Sequence, residues 1–129
     1  MNTDWIDITL TSTEIYDLSS PLTLLPNVGT NQFYEVEKIV FKLKYNTTPY
    51  NYVGDIHFKN GIERLATFQG DSLSSSQSAA TVSNSLLCKD TCSPLLSLGD
   101  GVVMELTGTP PTEGDGIVEI RVYFILHDF

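Results

Sequence analysis

The chain has 129 residues, of which 41% are hydrophobic and 18% charged, and seven basic against sixteen acidic residues give a net charge of −9. This length fits one domain, expected to span residues 1–129, which can bury a core without the support of a metal or a disulfide. The acidic balance speaks against nucleic acid and against acidic membrane surfaces as partners, because both attract positive charge.

The first ten residues, MNTDWIDITL, contain neither a basic segment nor an apolar one, so we expect no secretory signal. Apolar runs stay well below the roughly 20 residues needed to cross a bilayer. We therefore expect a protein that is made and folded in a cytoplasm.

The first predicted strand is Trp5–Thr11, in which apolar and polar residues alternate. Thr11–Glu14 has the form of a capping box, so we expect one helical turn to follow this strand. Pro21 prevents a longer helix, and a short apolar strand is predicted at Leu22–Leu25.

The longest segment with a strand pattern is Phe33–Tyr45, FYEVEKIVFKLKY, but its parity changes between Val36 and Ile39. The two halves can bury one common face only if an extra residue is inserted near Glu37–Ile39. A β-bulge inserts such a residue and bends the strand, so we predict a bulge here.

The middle of the chain predicts a hairpin and a long loop. Asp55–Phe58 and Ile62–Phe68 flank Asn60-Gly61, which is a strong signal for a two-residue turn. The serine-rich segment Gly70–Ser85 is predicted to be a loop with at most a short edge strand at Ala80–Val82. An irregular crossing between sheets is expected to follow it.

Val102–Thr107 is the next predicted strand, and a long final strand follows Gly116. This last strand is apolar at every second position, namely Val118, Ile120, Val122, Phe124 and Leu126. Tyr123 and Ile125 point the other way, although a solvated face would be polar there. We therefore expect these two residues to belong to a self-association surface.

About eight strands, at most one helical turn and no alternation of strands with helices predict an all-β protein. The favoured architecture is an antiparallel β-sandwich of the jelly-roll type, with the first and last strands paired at its centre.

Two cysteines, Cys88 and Cys92, lie in CKDTC. Free thiols are the favoured interpretation, a local disulfide comes second, and half of a metal site comes last, since only His57 and His127 remain as histidine ligands. We expect folding to be independent of both cysteines.

Residues able to perform chemistry are present, but their pattern does not predict catalysis. The serines lack a nucleophile elbow, and each histidine is more simply a structural or exposed residue. Glu35 and Glu37 alternate onto one face, as the paired carboxylates of a glycosidase do, but two surface glutamates are the favoured interpretation.

Asp100 and Asp115 each stand between two glycines, which indicates turns rather than calcium sites. We therefore expect no enzymatic activity, no metal and no cofactor.

Tyr45, Tyr50 and Tyr52 cluster around one turn. Such rings can stack on a sugar or on a partner, or they can close the end of the sandwich as an apolar lid. The lid is the favoured interpretation.

Four segments share their order with a known family: a strand and capped turn, a proline-rich strand with a glycine turn, a strand ending in KYNTTPY, and a final GDGIVEIRVYF. They are Ile8–Leu18, Pro21–Gly29, Ile39–Tyr50 and Gly114–Phe124. This order resembles small jelly-roll proteins that decorate or reinforce the virions of tailed bacteriophages.

The resemblance implies a virion protein, synthesised in the host cytoplasm, with no active site. Its implied partners are the major capsid protein or other virion proteins and further copies of itself, with a trimer favoured. The alternative is a carbohydrate- or receptor-binding β-sandwich of a phage or bacterium, which would use Tyr45, Tyr50 and Tyr52 as a stacking platform.

Overall fold

The computed structural model describes residues 3–83 and 98–129. Two short helices lie within them, α1 (Ser12–Tyr16) and α2 (Asp71–Ser74). The eight strands are β1 (Asp4–Leu10), β2 (Leu22–Leu25), β3 (Gln32–Lys44), β4 (Asp55–Asn60), β5 (Glu63–Gln69), β6 (Ala79–Ser83), β7 (Val102–Leu106) and β8 (Ile117–Asp128). The predicted all-β fold with about eight strands is confirmed, although α2 is a second helical turn where at most one was expected.

The strands form two four-stranded antiparallel sheets, with the order β1-β8-β3-β6 in the first sheet and β2-β7-β4-β5 in the second. The first strand pairs with the last, the second with the seventh, the third with the sixth and the fourth with the fifth. A long hairpin rolled into two sheets has these pairings, and they define a jelly roll.

The predicted pairing of the first and last strands is confirmed, but its position is not. β8 also pairs along most of its length with β3, so the centre of the first sheet is the β3–β8 pair. β1 therefore lies at the edge of its sheet, because β8 has β3 on its other side.

The bulge predicted in the long strand is present. The register between β3 and β8 shifts between Val36 and Lys38, which leaves Glu37 as the extra residue. Val36 and Ile39 are consequently both buried, although strict alternation without a bulge would place them on opposite faces of the sheet.

The core lies between the two sheets and is built by the inward parity of each. The first sheet contributes Ile39, Phe41, Ile120 and Val122, and the second contributes Ile56, Phe58, Val102 and Met104. The inward positions predicted from the alternation of the final strand are confirmed as far as Val122, whereas Leu126, near the strand's end, is exposed.

α1 forms where the capping box predicts it. Glu14 Oε1 accepts a hydrogen bond from the Thr11 amide at 3.1 Å, and Ile15 packs into the core. α2 lies in the serine-rich segment, and the one large apolar residue of this helix, Leu73, is buried. Within the described ranges, neither helix has the length or the apolar character of a membrane span.

The turn of the β4–β5 hairpin is shifted by one residue from the prediction. Asn60 pairs with Glu63, so the turn residues are Gly61 and Ile62, with a positive φ of 61° at Gly61. Glycine at the first central position is typical of a type II′ turn. Asn60 is instead the last residue of β4, and its buried amide donates to the carbonyl oxygens of Asp100 and Gly101 at 3.0 Å.

Two predictions lie outside the described residues. They are the irregular crossing at 86–97 and the state of Cys88 and Cys92.

Candidate functional site: the outer face of the first sheet

The outer face of the first sheet is the side turned away from the core, and strand register places its residues in rows. Trp5 of β1 lies beside Tyr123 of β8, which lies beside Lys38 of β3. In the next row, Asp7 lies beside Arg121. Alternation within each strand and the pairing of distant strands together assemble this face.

Two halves of the outer face differ in chemistry. The aromatic half is contributed by β1 and β8 and consists of Trp5, Asp7, Glu119, Arg121, Tyr123 and Ile125. The basic half is contributed by β3 and β6 and includes Lys38, Val40, Lys42, Lys44, Ala80 and Val82, with the acidic residues Glu35 and Glu37 near the bulge.

Arg121 organises the aromatic half. Its Nε and Nη2 donate to the two carboxylate oxygens of Asp7 at 2.7 and 2.8 Å, which is a bidentate pair. The guanidinium carbon lies 4.1 Å from the centre of the Trp5 ring. The hydrogen bonds from Arg121 lower the pKa of Asp7, and those to Asp7 raise the pKa of Arg121.

Tyr123 joins the two halves. The ammonium of Lys38 lies 4.7 Å from the centre of its ring, and Arg121 Nη1 donates to its hydroxyl at 3.4 Å. Tyr123 and Ile125 are both half-buried on the outer face, and Ile125 lies beside Glu35 of β3. Their outward orientation agrees with the alternation of β8, while their role in self-association stays a prediction.

The outer face also differs in charge from the rest of the chain. Four of the seven basic residues lie on it, namely Lys38, Lys42, Lys44 and Arg121. Four of the sixteen acidic residues lie on it, namely Asp7, Glu35, Glu119 and the exposed Glu37, which reaches Thr3 across β8. The other charged residues that the structure describes, two basic and eleven acidic, give a net charge of −9, against 0 on this face.

A shallow depression lies at the side of the outer face near β6. Lys42, Lys44 and Ala80 line it, and Glu119 borders it. The short side chain of Ala80 leaves this space open between the longer ones. Charged groups and a small apolar floor make it suited to a side chain of another molecule rather than to a reacting substrate.

The histidines have structural partners. His57 is 8% exposed, its Nδ1 lies 2.9 Å from Thr67 Oγ1, and burial lowers the pKa of His57. His127 stacks on Phe33 with ring centres 4.8 Å apart, and its Nε2 lies 2.8 Å from Glu35 Oε1.

Glu35 and Glu37 are both exposed but have different hydrogen-bond partners. Glu35 contacts His127, whereas Glu37 accepts a hydrogen bond from Thr3 Oγ1 at 2.6 Å. Over residues 3–83 and 98–129, histidines, cysteines and acidic residues form no group of three or more arranged to hold a metal ion.

The tyrosines do not form the stacking platform that the alternative function needs. Tyr50 and Tyr52 are 2% and 3% exposed, and only Tyr45 is partly accessible. The Tyr50 hydroxyl donates to the carbonyl of Gly116, and burial raises its pKa to about 12. Tyr50 and Tyr52 therefore close this end of the sandwich, because their rings pack in the core.

Asp115 acts as a turn residue, as its glycine neighbours predict. Its carboxylate accepts hydrogen bonds from the amides of Thr47 and Thr48 at 3.0 and 2.9 Å and from Asn46 Nδ2 at 3.1 Å. Hydrogen bonds from the Thr47 side chain and from these backbone amides lower the pKa of Asp115 to about 2.

Sequence reasoning finds Tyr123 and Ile125 but misses the contacts of Trp5, Asp7 and Arg121. Each of these residues has outward parity in its own strand, so the pattern contains part of the signal. The missing part is the register of β1 against β8, which places Asp7 beside Arg121 across 114 residues of sequence.

No protein family model matches the chain, and no curated protein matches it in sequence. Among solved structures, it is similar to a chain of the cyanophage Pam1 capsid asymmetric unit, with a TM-score of 0.53 and 15% sequence identity. The similarity covers 95% of this chain and 84% of that chain. At this identity the similarity concerns the fold.

Proposed function

We propose that this protein is a non-enzymatic structural protein of a bacteriophage virion. The observation that carries the proposal is the jelly-roll similarity to a chain of a cyanophage capsid asymmetric unit, which extends over 95% of this chain. The order of strands and turns in the sequence, which resembles that of phage virion proteins, also supports it. Fold similarity alone is a weak guide to function, so the surface must also fit.

More specifically, we propose an auxiliary or decoration protein that binds the major capsid protein or another virion protein and also associates with itself. It would be synthesised in the host cytoplasm and would reside in the virion. The trimer favoured by the family resemblance remains part of the proposal.

The surface fits this role. Tryptophan, tyrosine and arginine are the residue types most enriched where protein interfaces are strongest, and Trp5, Tyr123 and Arg121 lie together on one sheet face. The titratable groups considered for catalysis have side-chain partners: His57 contacts Thr67, and Glu35 contacts His127. These contacts support a protein whose task is binding rather than catalysis.

The carbohydrate-binding alternative loses its basis, because it needs accessible rings at Tyr45, Tyr50 and Tyr52. Burial of Tyr50 and Tyr52 leaves a single partly accessible ring, which is too little for a stacking platform. We therefore propose one function.

Cosedimentation tests the proposal. Capsids that lack this protein are incubated with it and pelleted, and we expect it to pellet at a fixed ratio to the major capsid protein. Capsids that already contain it serve as the control and should bind little more. A protein that stays in the supernatant with both preparations would overturn the proposal. Electron cryomicroscopy of loaded capsids would then locate the bound copies.

A further inference from the structure

We propose that the protein associates with itself by packing the aromatic half of the outer face in one copy against the basic half of the same face in another copy. This inference deepens the self-association in the proposed function by naming its surface and its partner, and it can be tested without capsids.

The rows of the outer face make the two halves complementary. Glu119 in the aromatic half lies in register with Lys42 in the basic half, and Tyr123 lies in register with Lys38. A second copy whose aromatic half covers the basic half of the first therefore brings Glu119 to Lys42 and Tyr123 to Lys38. The 4.7 Å contact of Lys38 with the Tyr123 ring inside one copy already uses the second of these pairings.

Apolar surface on both halves supports the same contact. Trp5 is 54% exposed in the aromatic half, and Val82 is 44% exposed in the basic half. The depression beside Ala80 offers room for a side chain of the neighbouring copy. Burial of these groups supplies the non-directional part of the association, and the charged rows supply its register.

Charge distribution favours a second copy as the occupant. The described residues outside this face have a net charge of −9, so two copies repel each other in most orientations. On the outer face the net charge is 0, with −1 on the aromatic half and +1 on the basic half, so the two halves are opposite in charge. Contact between halves is therefore the orientation in which repulsion is smallest and attraction is specific.

The contact between an aromatic half and a basic half is compatible with closed assemblies of more than one size. Each copy uses its aromatic half toward one neighbour and its basic half toward the same or another neighbour. A two-fold pair and a ring of three both satisfy it, so the favoured trimer remains consistent with the contact.

The test uses the fact that the chain contains a single tryptophan, Trp5, which lies on this face. Sedimentation velocity and Trp5 fluorescence are measured over a dilution series of the full chain. We expect a closed oligomer that dissociates on dilution, with Trp5 emission at shorter wavelength and less quenching by acrylamide in the oligomer than in the monomer.

Charge reversal identifies the contact. Lys42→Glu and Glu119→Lys should each raise the dissociation constant about tenfold or more, because each places like charges together between copies. The double variant should return the dissociation constant close to that of the wild type. Lys59→Glu and Glu105→Lys, which reverse an ion pair on the outer side of the second sheet, are matched controls and should leave it unchanged.

Circular dichroism and melting curves establish that each variant is folded. Val82→Glu, at an exposed position of the basic half, should also weaken association. This variant provides an independent test if a charge-reversed protein fails to fold. A wild-type monomer at every concentration would overturn the inference. So would a failure of the double variant to restore association, or an equal loss in the second-sheet controls. Any of these outcomes leaves capsid binding untouched, because cosedimentation measures it separately.

Discussion

The outer sides of the two sheets are built by the same strand alternation but present different chemistry. The outer face of the first sheet has an arginine held between a carboxylate and an aromatic ring, with exposed apolar residues around it. On the second sheet, the Lys59–Glu105 ion pair at 2.5 Å and the His57–Thr67 contact occupy the equivalent side. The inward-facing residues of both sheets form the core. Only the outward-facing residues of the first sheet have the composition typical of a protein interface.

The largest expected effect tests whether the inward parity is equivalent in the two sheets. Phe41 of the first sheet and Phe58 of the second are both fully buried. Phe41→Ala and Phe58→Ala should each reduce the free energy of unfolding by about 3–5 kcal/mol, because each removes a large side chain from the core.

Urea denaturation of the monomer measures both changes, and Val122→Ala in β8 should cost a smaller amount, about 1–3 kcal/mol. An unchanged midpoint for either phenylalanine variant would show that the inward parity of its sheet is wrongly assigned.

The second prediction concerns the hydrogen bond between the connection that joins the two sheets and the residue before β8. Tyr50 lies on the connection from β3 to β4, which crosses between the sheets, and its hydroxyl donates to the Gly116 carbonyl at the start of β8. Tyr50→Phe should reduce the free energy of unfolding by about 1–2 kcal/mol, because it leaves a buried carbonyl without its donor.

Tyr45→Phe is the matched control, since the Tyr45 hydroxyl donates to the nearby Thr47 carbonyl in an exposed turn. It should change stability by less than about 0.5 kcal/mol. Equal effects in the two variants would contradict the role given to the buried bond.

The sequence predicts the parts of this fold that depend on local alternation. The bulge at Glu37 and the capped turn before Ile15 follow from spacing within a few residues. The turn at Gly61 is displaced by one residue, because Asn60 is held by the carbonyls of Asp100 and Gly101, which are distant in sequence. α2 escapes prediction for a similar reason: burial of Leu73 among distant residues outweighs the serine-rich composition around it.

The candidate site likewise contains residues that can be predicted from one strand and residues that cannot. Tyr123 and Ile125 can be found from one strand, because their parity conflicts with a solvated face. The position of Arg121 over Trp5 cannot, because it requires the register between the first and last strands. Burial of Tyr50 and Tyr52 likewise depends on the approach of the connection before β8.

A third prediction separates the two outer sides by pH. The pKa of His57 on the second sheet is lowered by burial, so its folded state resists protonation. The stability that it contributes is complete above the unfolded value of about 6.5 and is lost as pH falls below it. Asp7 on the first sheet has a pKa lowered by Arg121, so its contribution is complete above about 3.9 and is lost only in stronger acid.

Denaturation midpoints between pH 8 and acid conditions measure these contributions. His57→Gln should remove the loss that begins near pH 6.5, and Asp7→Asn should remove part of the loss that begins near pH 4. If His57→Gln altered only the more acidic range, the assignment of the two windows to the two sheets would be wrong.

Apart from the Tyr45 control, the smallest expected effect on stability is that of Trp5, and it distinguishes an interface residue from a structural one. Trp5 is 54% exposed and contacts Arg121, which stays anchored on Asp7 in its absence. Trp5→Ala should therefore lower the free energy of unfolding of the monomer by no more than about 1 kcal/mol, the contribution of an exposed cation–π contact. The same change should weaken self-association by at least about tenfold, because large aromatic side chains dominate interface energetics. Urea denaturation below the association range measures the first quantity, and sedimentation velocity measures the second. A large loss of monomer stability without a change in association would assign Trp5 to the fold and would remove the contrast between the two outer sides.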